Sequence, residues 1–221
     1  MTKRLRFAVV LSGCGVFDGA EIQESVLTLL AISRRGGDVQ CFAPDIPQHH
    51  VIDHYRNQPS PGETRNVLTE SARIARGKIR PLSEYSTDES DILIIPGGFG
   101  AAKNLCSFAF DGASCSVNRD VEKALRAAHA ARHPIGVWCI APVVVARVLG
   151  NVTVTVGADA TVEEALEAMG AGHRPASARD AILDRENRIV STPCYMAPAP
   201  LSDIADGIQK AVDELAAMVG T

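Results

Sequence analysis

The chain has 221 residues, 46% of them hydrophobic, and a formal net charge of -4. That size and apolar content suit one domain, residues 1–221, able to bury its own core. The short basic clusters Lys3/Arg4/Arg6 and Arg34/Arg35 lack interleaved aromatics, and no apolar run is long enough to cross a bilayer, so neither nucleic acid nor a membrane is an expected partner. In chain order, residues 7–11 (FAVVL) form a continuous apolar run, the mark of a strand buried on both faces. Residues 21–35 follow with apolar positions at helical spacing and stop at Gly36-Gly37. A second strand is predicted over 39–43, a helix over 63–76 and a buried strand over 91–95. Asn118 is the expected N-cap of an Ala-rich helix running to Arg132. Residues 135–138 (IGVW) read as a strand and 142–149 as a short helix whose first turn holds Pro142. A strand over 152–156 precedes a helix over 161–169, opened by a Thr161–Glu164 capping box. Residues 181–184 and 188–192 read as a hairpin, and 201–219 as the closing helix.

Strands alternating with crossover helices predict an α/β fold with a doubly wound, mostly parallel sheet sandwiched by helices. The Pro-, His- and Gln-rich stretch 44–62 is the one long irregular segment. It follows the second strand, a position from which a lid could reach the sheet's carboxyl edge. Six cysteines are scattered without a C-x-x-C pair, which is neither a disulfide scaffold nor a zinc knuckle. No secretory signal is read at the start, so a reducing cytoplasm is the expected compartment.

Cys139 stands where the apolar strand IGVW gives way at once to a helix. A side chain at such a junction points above the carboxyl edge of the sheet, where helix N–H groups favour a thiolate. The local pattern alone fits a buried structural cysteine equally well. Two further segments add weight. Pro96-Gly97-Gly98-Phe99-Gly100 ends a strand with glycines whose N–H groups can approach a ligand closely, as an oxyanion hole requires. The segment from Gly13 to Glu24 joins the first strand to the first helix and sets Glu21 and Glu24 in its opening turns. Charge complementarity with the helix N-terminus would by itself explain those acids.

P-G-G-F-G-A-A-K-N-L, the Cys139 turn and G-A-E-I-Q-E together resemble the ThiJ/PfpI superfamily. S-G-C-G-V-F-D-G-A-E-I-Q-E, C-F-A-P-D, E-T-R-N-V-L and W-C-I-A-P resemble its ElbB branch, named for enhanced lycopene biosynthesis or as isoprenoid-biosynthesis glyoxalases. The resemblance covers the first strand to about Met196 and implies a flavodoxin-like, class I amidotransferase-like domain and a homodimer. It makes Cys139 the nucleophile and Glu24 its acid partner, with Gly97, Gly98 and the Ile140 N–H stabilising negative charge. A thiolate and a carboxylate in contact cannot both be charged at ease, so Glu24 should hold a proton and offer it to sulfur.

Departures from the superfamily narrow the chemistry. Ile140 stands where the peptidases carry histidine, and no histidine lies between Cys139 and His173. A Cys-His-Asp hydrolase or a glutaminase is therefore disfavoured. The resemblance implies a glyoxalase III-like lyase of low activity, needing no cofactor or metal, that acts on a small reactive aldehyde such as methylglyoxal or glyoxal. The alternative is a redox sensor that uses the same thiol without turnover. Cys14, Asp18, Glu21 and Cys194 are further candidates for the pocket. His49, His50 and His54 read as a solvated loop rather than a metal site.

Overall fold

The structure, a computed structural model, describes residues 4–220. In chain order it contains β1 (Arg6–Val10), α1 (Ile22–Arg34), β2 (Asp38–Ala43), β3 (Ile52–Asp53), β4 (Gln58–Pro59), α2 (Val67–Ile74), β5 (Ile79–Pro81) and β6 (Ile92–Ile95). These are followed by α3 (Phe108–Asp111), α4 (Arg119–Ala130), β7 (Ile135–Trp138), α5 (Pro142–Leu149) and β8 (Thr153–Val154). The chain ends with α6 (Ala160–Ala168), β9 (Gly172–His173), β10 (Ile182–Asp184), β11 (Ile189–Thr192) and α7 (Leu201–Met218).

The central seven-stranded sheet has the order β10-β11-β7-β6-β1-β2-β5. All its pairs are parallel except β10–β11, the predicted hairpin. The chain winds from β1 outward to β2 and β5, then resumes on the other side of β1 with β6. That reversal is the switch point at which flavodoxin-like sheets open a crevice beyond their carboxyl ends. Alternate residues of each central strand feed two apolar layers. Ala8, Val10, Leu93, Ile95 and Val137 pack with α4 and α5, while Phe7, Val9, Ile92, Ile94 and Trp138 pack with residues of α1 and α7. On α7 the inward stripe is Ile204, Ile208, Ala211, Val212 and Leu215, all fully buried at helical spacing.

Asn118 caps α4 as expected, accepting from the N–H groups of Asp120 and Val121. Other expectations need correction. The predicted strand 152–156 shrinks to β8, which leaves the main sheet and pairs with β9 instead. Its donors are taken by side chains: Thr153 N–H by Asp184 at 2.8 Å and Thr155 N–H by the Ser191 hydroxyl at 2.9 Å. α6 is opened by Asp159, whose carboxylate accepts from Val162 N–H, so Thr161 lies inside the helix and the capping box does not form. α2 starts late because Asn66 caps it through Thr69 N–H. The irregular stretch 44–62 contains the β3–β4 hairpin, anchored where Ile52 N–H donates to buried Asp18 at 2.7 Å.

Candidate active site

Three crossover points of the sheet converge on Cys139. β7 ends in the fully buried Trp138, and the next residue turns sharply, with φ of 56° at Cys139, a left-handed conformation rare outside glycine. The turn is held on both sides. Cys139 N–H donates to the Thr192 carbonyl at 3.0 Å, and Ala141 N–H donates back to Trp138 at 2.9 Å. Trp138 is itself fixed by its indole N–H, which donates to Thr28 on α1 at 2.9 Å. The abrupt strand-to-helix turn expected at Cys139 is present.

The glycines after β6 make the approach of the other partner feasible. A Cβ on Gly97 would stand 2.3 Å from Cys139 Cβ, 2.9 Å from its sulfur and 2.7 Å from Glu24 Oε2. Only a residue without a side chain lets thiol and carboxyl meet there. Gly98 has φ of 95°, and a Cβ there would collide with the main chain of Glu21 and Gly19 at 2.3 and 2.4 Å. In that conformation the Gly98 N–H, together with that of Ile140, lies close enough to the Cys139 sulfur to favour its thiolate.

Glu24 lies in the first turn of α1 and is completely buried. Its Oε2 accepts from Gly97 N–H at 3.0 Å, Tyr195 N–H approaches Oε1 at 3.5 Å, and the Cys139 side chain completes its contacts. Burial, and then the charge of Glu21, push the Glu24 carboxyl up to about 8, against the pull of these donors. Burial, and then the charge of Glu24, also push the Cys139 thiol well above its usual value, while the Gly98 and Ile140 N–H groups pull it down. Loss of water thus outweighs the helix-terminus effect that favoured a thiolate in the sequence reading. With Glu24 protonated at neutral pH, the carboxylate's repulsion of sulfur disappears, and the pair carries at most one negative charge.

Glu21 has a structural role, because its carboxylate caps α1 by accepting from Glu24 N–H at 2.6 Å. It also borders the cleft above Cys139, and burial raises its pKa. Cys194 is fully buried and close enough for the charges of Glu24 and Cys139 to raise its pKa after burial has done so, though it does not line the cleft. Two further pocket candidates also stand away from the cleft. The loop after β1 folds back through Gly15–Ala20 and Gly19–Gly15 backbone bonds. Gly13 N–H is tied to Ser71 on α2, the Cys14 thiol feels Glu70 and Arg73, and Asp18 is turned toward the β3–β4 hairpin. Neither Cys14 nor Asp18 reaches the cleft.

The cleft holds about 340 Å³. Val16, Phe99, Phe108, Val162 and Met196 form apolar walls, and Glu21, Asp159 and Tyr195 bring the polar atoms. No histidine borders it. His54 instead accepts from Phe17 N–H at 3.2 Å, and His49 stacks on Phe110. Among the described residues no three His, Cys, Asp or Glu side chains converge as metal ligands would. Thr192, Tyr195 and Met196 were missed by sequence reasoning; their position at the carboxyl end of β11, beside β7, was the available signal.

No protein-family model matches the chain. A human protein, glutamine amidotransferase-like class 1 domain-containing protein 3, mitochondrial, is 51% identical over 224 residues, spanning 97% of this chain and 84% of that protein. The zebrafish ES1 protein, mitochondrial, is 38% identical over 205 residues, 86% of this chain and 76% of that one. Among solved structures, an isoprenoid biosynthesis protein with amidotransferase-like domain from Ehrlichia chaffeensis superposes with a TM-score of 0.89 at 37% identity, over 96% of this chain and 99% of that one. Drosophila DJ-1beta shares the fold at a TM-score of 0.55 and 15% identity, over 99% of this chain and 92% of its own. These relatives correct one expectation. The human, rat and zebrafish proteins are named mitochondrial, which overturns the cytoplasmic reading. Free thiols report a reducing compartment, and the cytosol is not the only one. Identity at this level across nearly the whole chain places the protein in the ES1 family of glutamine amidotransferase-like class 1 domain proteins, built on the flavodoxin-like fold of the DJ-1/ThiJ/PfpI superfamily.

Proposed function

We propose that this protein is an ElbB-like, cofactor-independent glyoxalase that converts 2-oxoaldehydes such as methylglyoxal to 2-hydroxy acids. The observation that carries the reading is the contact between the Cys139 thiol and the buried Glu24 carboxyl, with two N–H groups close to the sulfur. Membership in the superfamily is consistent with a glyoxalase-like or stress-related role, and the 37% identical isoprenoid biosynthesis protein supports the ElbB-like branch.

In the proposed reaction the thiol sulfur adds to the aldehyde carbon while its proton passes through Glu24 to the carbonyl oxygen, giving a hemithioacetal. The carboxylate of Glu21, which borders the cleft, then takes the proton from C1 while Glu24 gives its own proton to the C2 oxygen, and an enediol forms. Return of a proton to C2 gives a thioester: C1 is oxidised and C2 reduced, with no external electron carrier. Water attacks the thioester, the C–S bond breaks, and hydroxy acid and thiol are released. With no histidine in the cleft, both proton transfers fall to carboxyl groups, whose elevated pKa values suit acid–base exchange near neutrality.

The sensor alternative draws less support, since reactive sensor thiols are exposed and acidic, whereas Cys139 is 8% exposed and shifted the other way. Proton NMR of methylglyoxal conversion in D2O is the test. The wild type should form lactate carrying deuterium at C2, and Cys139→Ala should form none above the buffer rate. Lactate formation by Cys139→Ala at the wild-type rate would overturn the proposal.

A further inference from the structure

We infer that the ligand of this cleft is an uncharged carbonyl compound with an apolar arm of about six carbons, rather than the smallest 2-oxoaldehydes. The inference rests on the reaction proposed above for the chemistry at Cys139, but its size and charge limits come from the cleft alone. At about 30 Å³ per water-sized group in a liquid, the five non-hydrogen atoms of methylglyoxal fill roughly 150 Å³. The cleft holds about 340 Å³. The difference leaves room for roughly six more non-hydrogen atoms at that packing.

The lining says what those atoms are. Beyond Cys139 and Ile140 the cavity is walled by Phe99 after β6, Phe108 of α3, Val162 of α6 and Met196 after β11. Contact with such walls is favourable only for apolar groups, because a polar arm would lose its water without gaining partners. The charged side chains on the lining are both acidic, Glu21 and Asp159. Each already holds a helix-cap hydrogen bond, to Glu24 N–H and Val162 N–H respectively. The nearby cation Lys103 stands over the Phe99 ring, 5.3 Å from its centroid, and donates to the Phe17 carbonyl at 2.8 Å; it does not border the cleft. A phosphate ester or carboxylate would therefore enter an apolar cavity against two acids and without a counter-ion.

Two measurements on the wild-type protein test this separately from the reaction. In the first, kcat/KM is compared for methylglyoxal, 2-oxooctanal and phenylglyoxal; burial of a six-carbon arm should favour the larger two by about thirtyfold or more. Val162→Trp, which fills one wall, should draw that ratio toward one. In the second, Cys139 is alkylated with N-phenylmaleimide or its para-carboxylate and followed by mass spectrometry, a readout that needs no turnover. The neutral reagent should label Cys139 at least tenfold faster. Methylglyoxal turned over as well as its larger analogues, with both maleimides equal, would overturn this inference and leave the glyoxalase reading standing. No turnover of any aldehyde, with labelling still selective for the neutral aryl reagent, would overturn the glyoxalase reading and support the ligand class.

Discussion

Cys139 shares its protons with a carboxyl group, whereas Cys115, in the segment between α3 and α4, lies beside a second thiol, Cys106. Both cysteines are buried, yet the consequences differ in sign. The neighbouring Cys106, with the charge of Arg147 and against burial, brings Cys115 down to about 7, and Cys106, whose own thiol donates to the Ala101 carbonyl at 3.3 Å, is raised in exchange. At Cys139 burial and Glu24 raise the thiol instead. The acidic thiol is thus the one away from the cleft, and the thiol in the cleft is the one that keeps its proton. A depressed pKa does not by itself locate the chemistry here. Cys139 differs in having an acid to exchange protons with and a cavity to receive a substrate.

Replacing each thiol is the sharpest way to break that comparison. Cys139→Ala should lower methylglyoxal turnover by about a thousandfold or more, the scale of a lost nucleophile. Cys115→Ala should change it by less than about twofold, because it touches neither the carboxyl nor the cleft. Equal losses in the two variants, measured by NMR on folded protein, would erase the distinction. The glycines beside each thiol extend it to stability. Gly97→Ala forces a methyl group against Cys139 and Glu24, which should cost about 3 kcal/mol in urea unfolding, within the range for overpacked cores. Gly112, beside the Cys115 segment, has φ of 53° and open space around its missing Cβ. With ψ of -135°, outside the left-handed helical region, Gly112→Ala should cost backbone strain alone, about 1–3 kcal/mol.

Replacing Glu24 gives the next largest effect and separates its proton from its shape. Glu24→Gln keeps the volume and can still accept from Gly97 N–H, but it cannot carry a proton between atoms. Turnover should fall about a hundredfold or more, the usual weight of general acid–base catalysis. Stability should respond in the opposite way. The folded carboxyl titrates at about 8 and the unfolded one at 4.5, so between those values the native state holds a proton that the unfolded state releases. Stability from this group is full below the unfolded value and declines as pH rises toward the folded value, by up to about 1.4 kcal/mol per unit. Thermal unfolding of the wild type should therefore weaken from pH 5 to 8, while Glu24→Gln should show a flatter profile. Parallel profiles would mean that Glu24 is ionised in the folded state at neutral pH.

What the sequence disclosed follows from how local each signal is. The elbow was legible because IGVW-Cys139 is a contiguous switch from buried strand to helix, and the alternation of strands and helices along the chain followed from periodicity. The Glu24 pairing needed both the superfamily spacing and the glycines after β6. The fate of residues 152–156 was hidden because Asp184 and Ser191, some 31 and 36 positions along the chain, take their N–H groups. Cys14 and Asp18 sit beside the glycine turn in sequence, but backbone bonds fold that loop toward α2 and the hairpin. The cleft walls were illegible for the same reason: Phe99, Phe108, Val162 and Met196 come from four separate elements and meet only in the folded chain.

The smallest expected effect lies at the rim, and it limits how far the site extends. Tyr195 contributes to Glu24 through its backbone N–H, while its hydroxyl donates outward to Gln23 and its side chain borders the cleft. Tyr195→Phe removes the hydroxyl alone. An exposed neutral hydrogen bond is worth about 0.5–1.5 kcal/mol at most, so stability should fall by less than about 1 kcal/mol. Turnover should stay within about threefold, since the hydroxyl touches neither sulfur nor carboxyl. A loss comparable to that of Glu24→Gln, with a shifted pH–rate profile, would instead place the phenol in proton transfer. Three groups around Cys139, rather than a thiol and one acid, would then set it apart from Cys115.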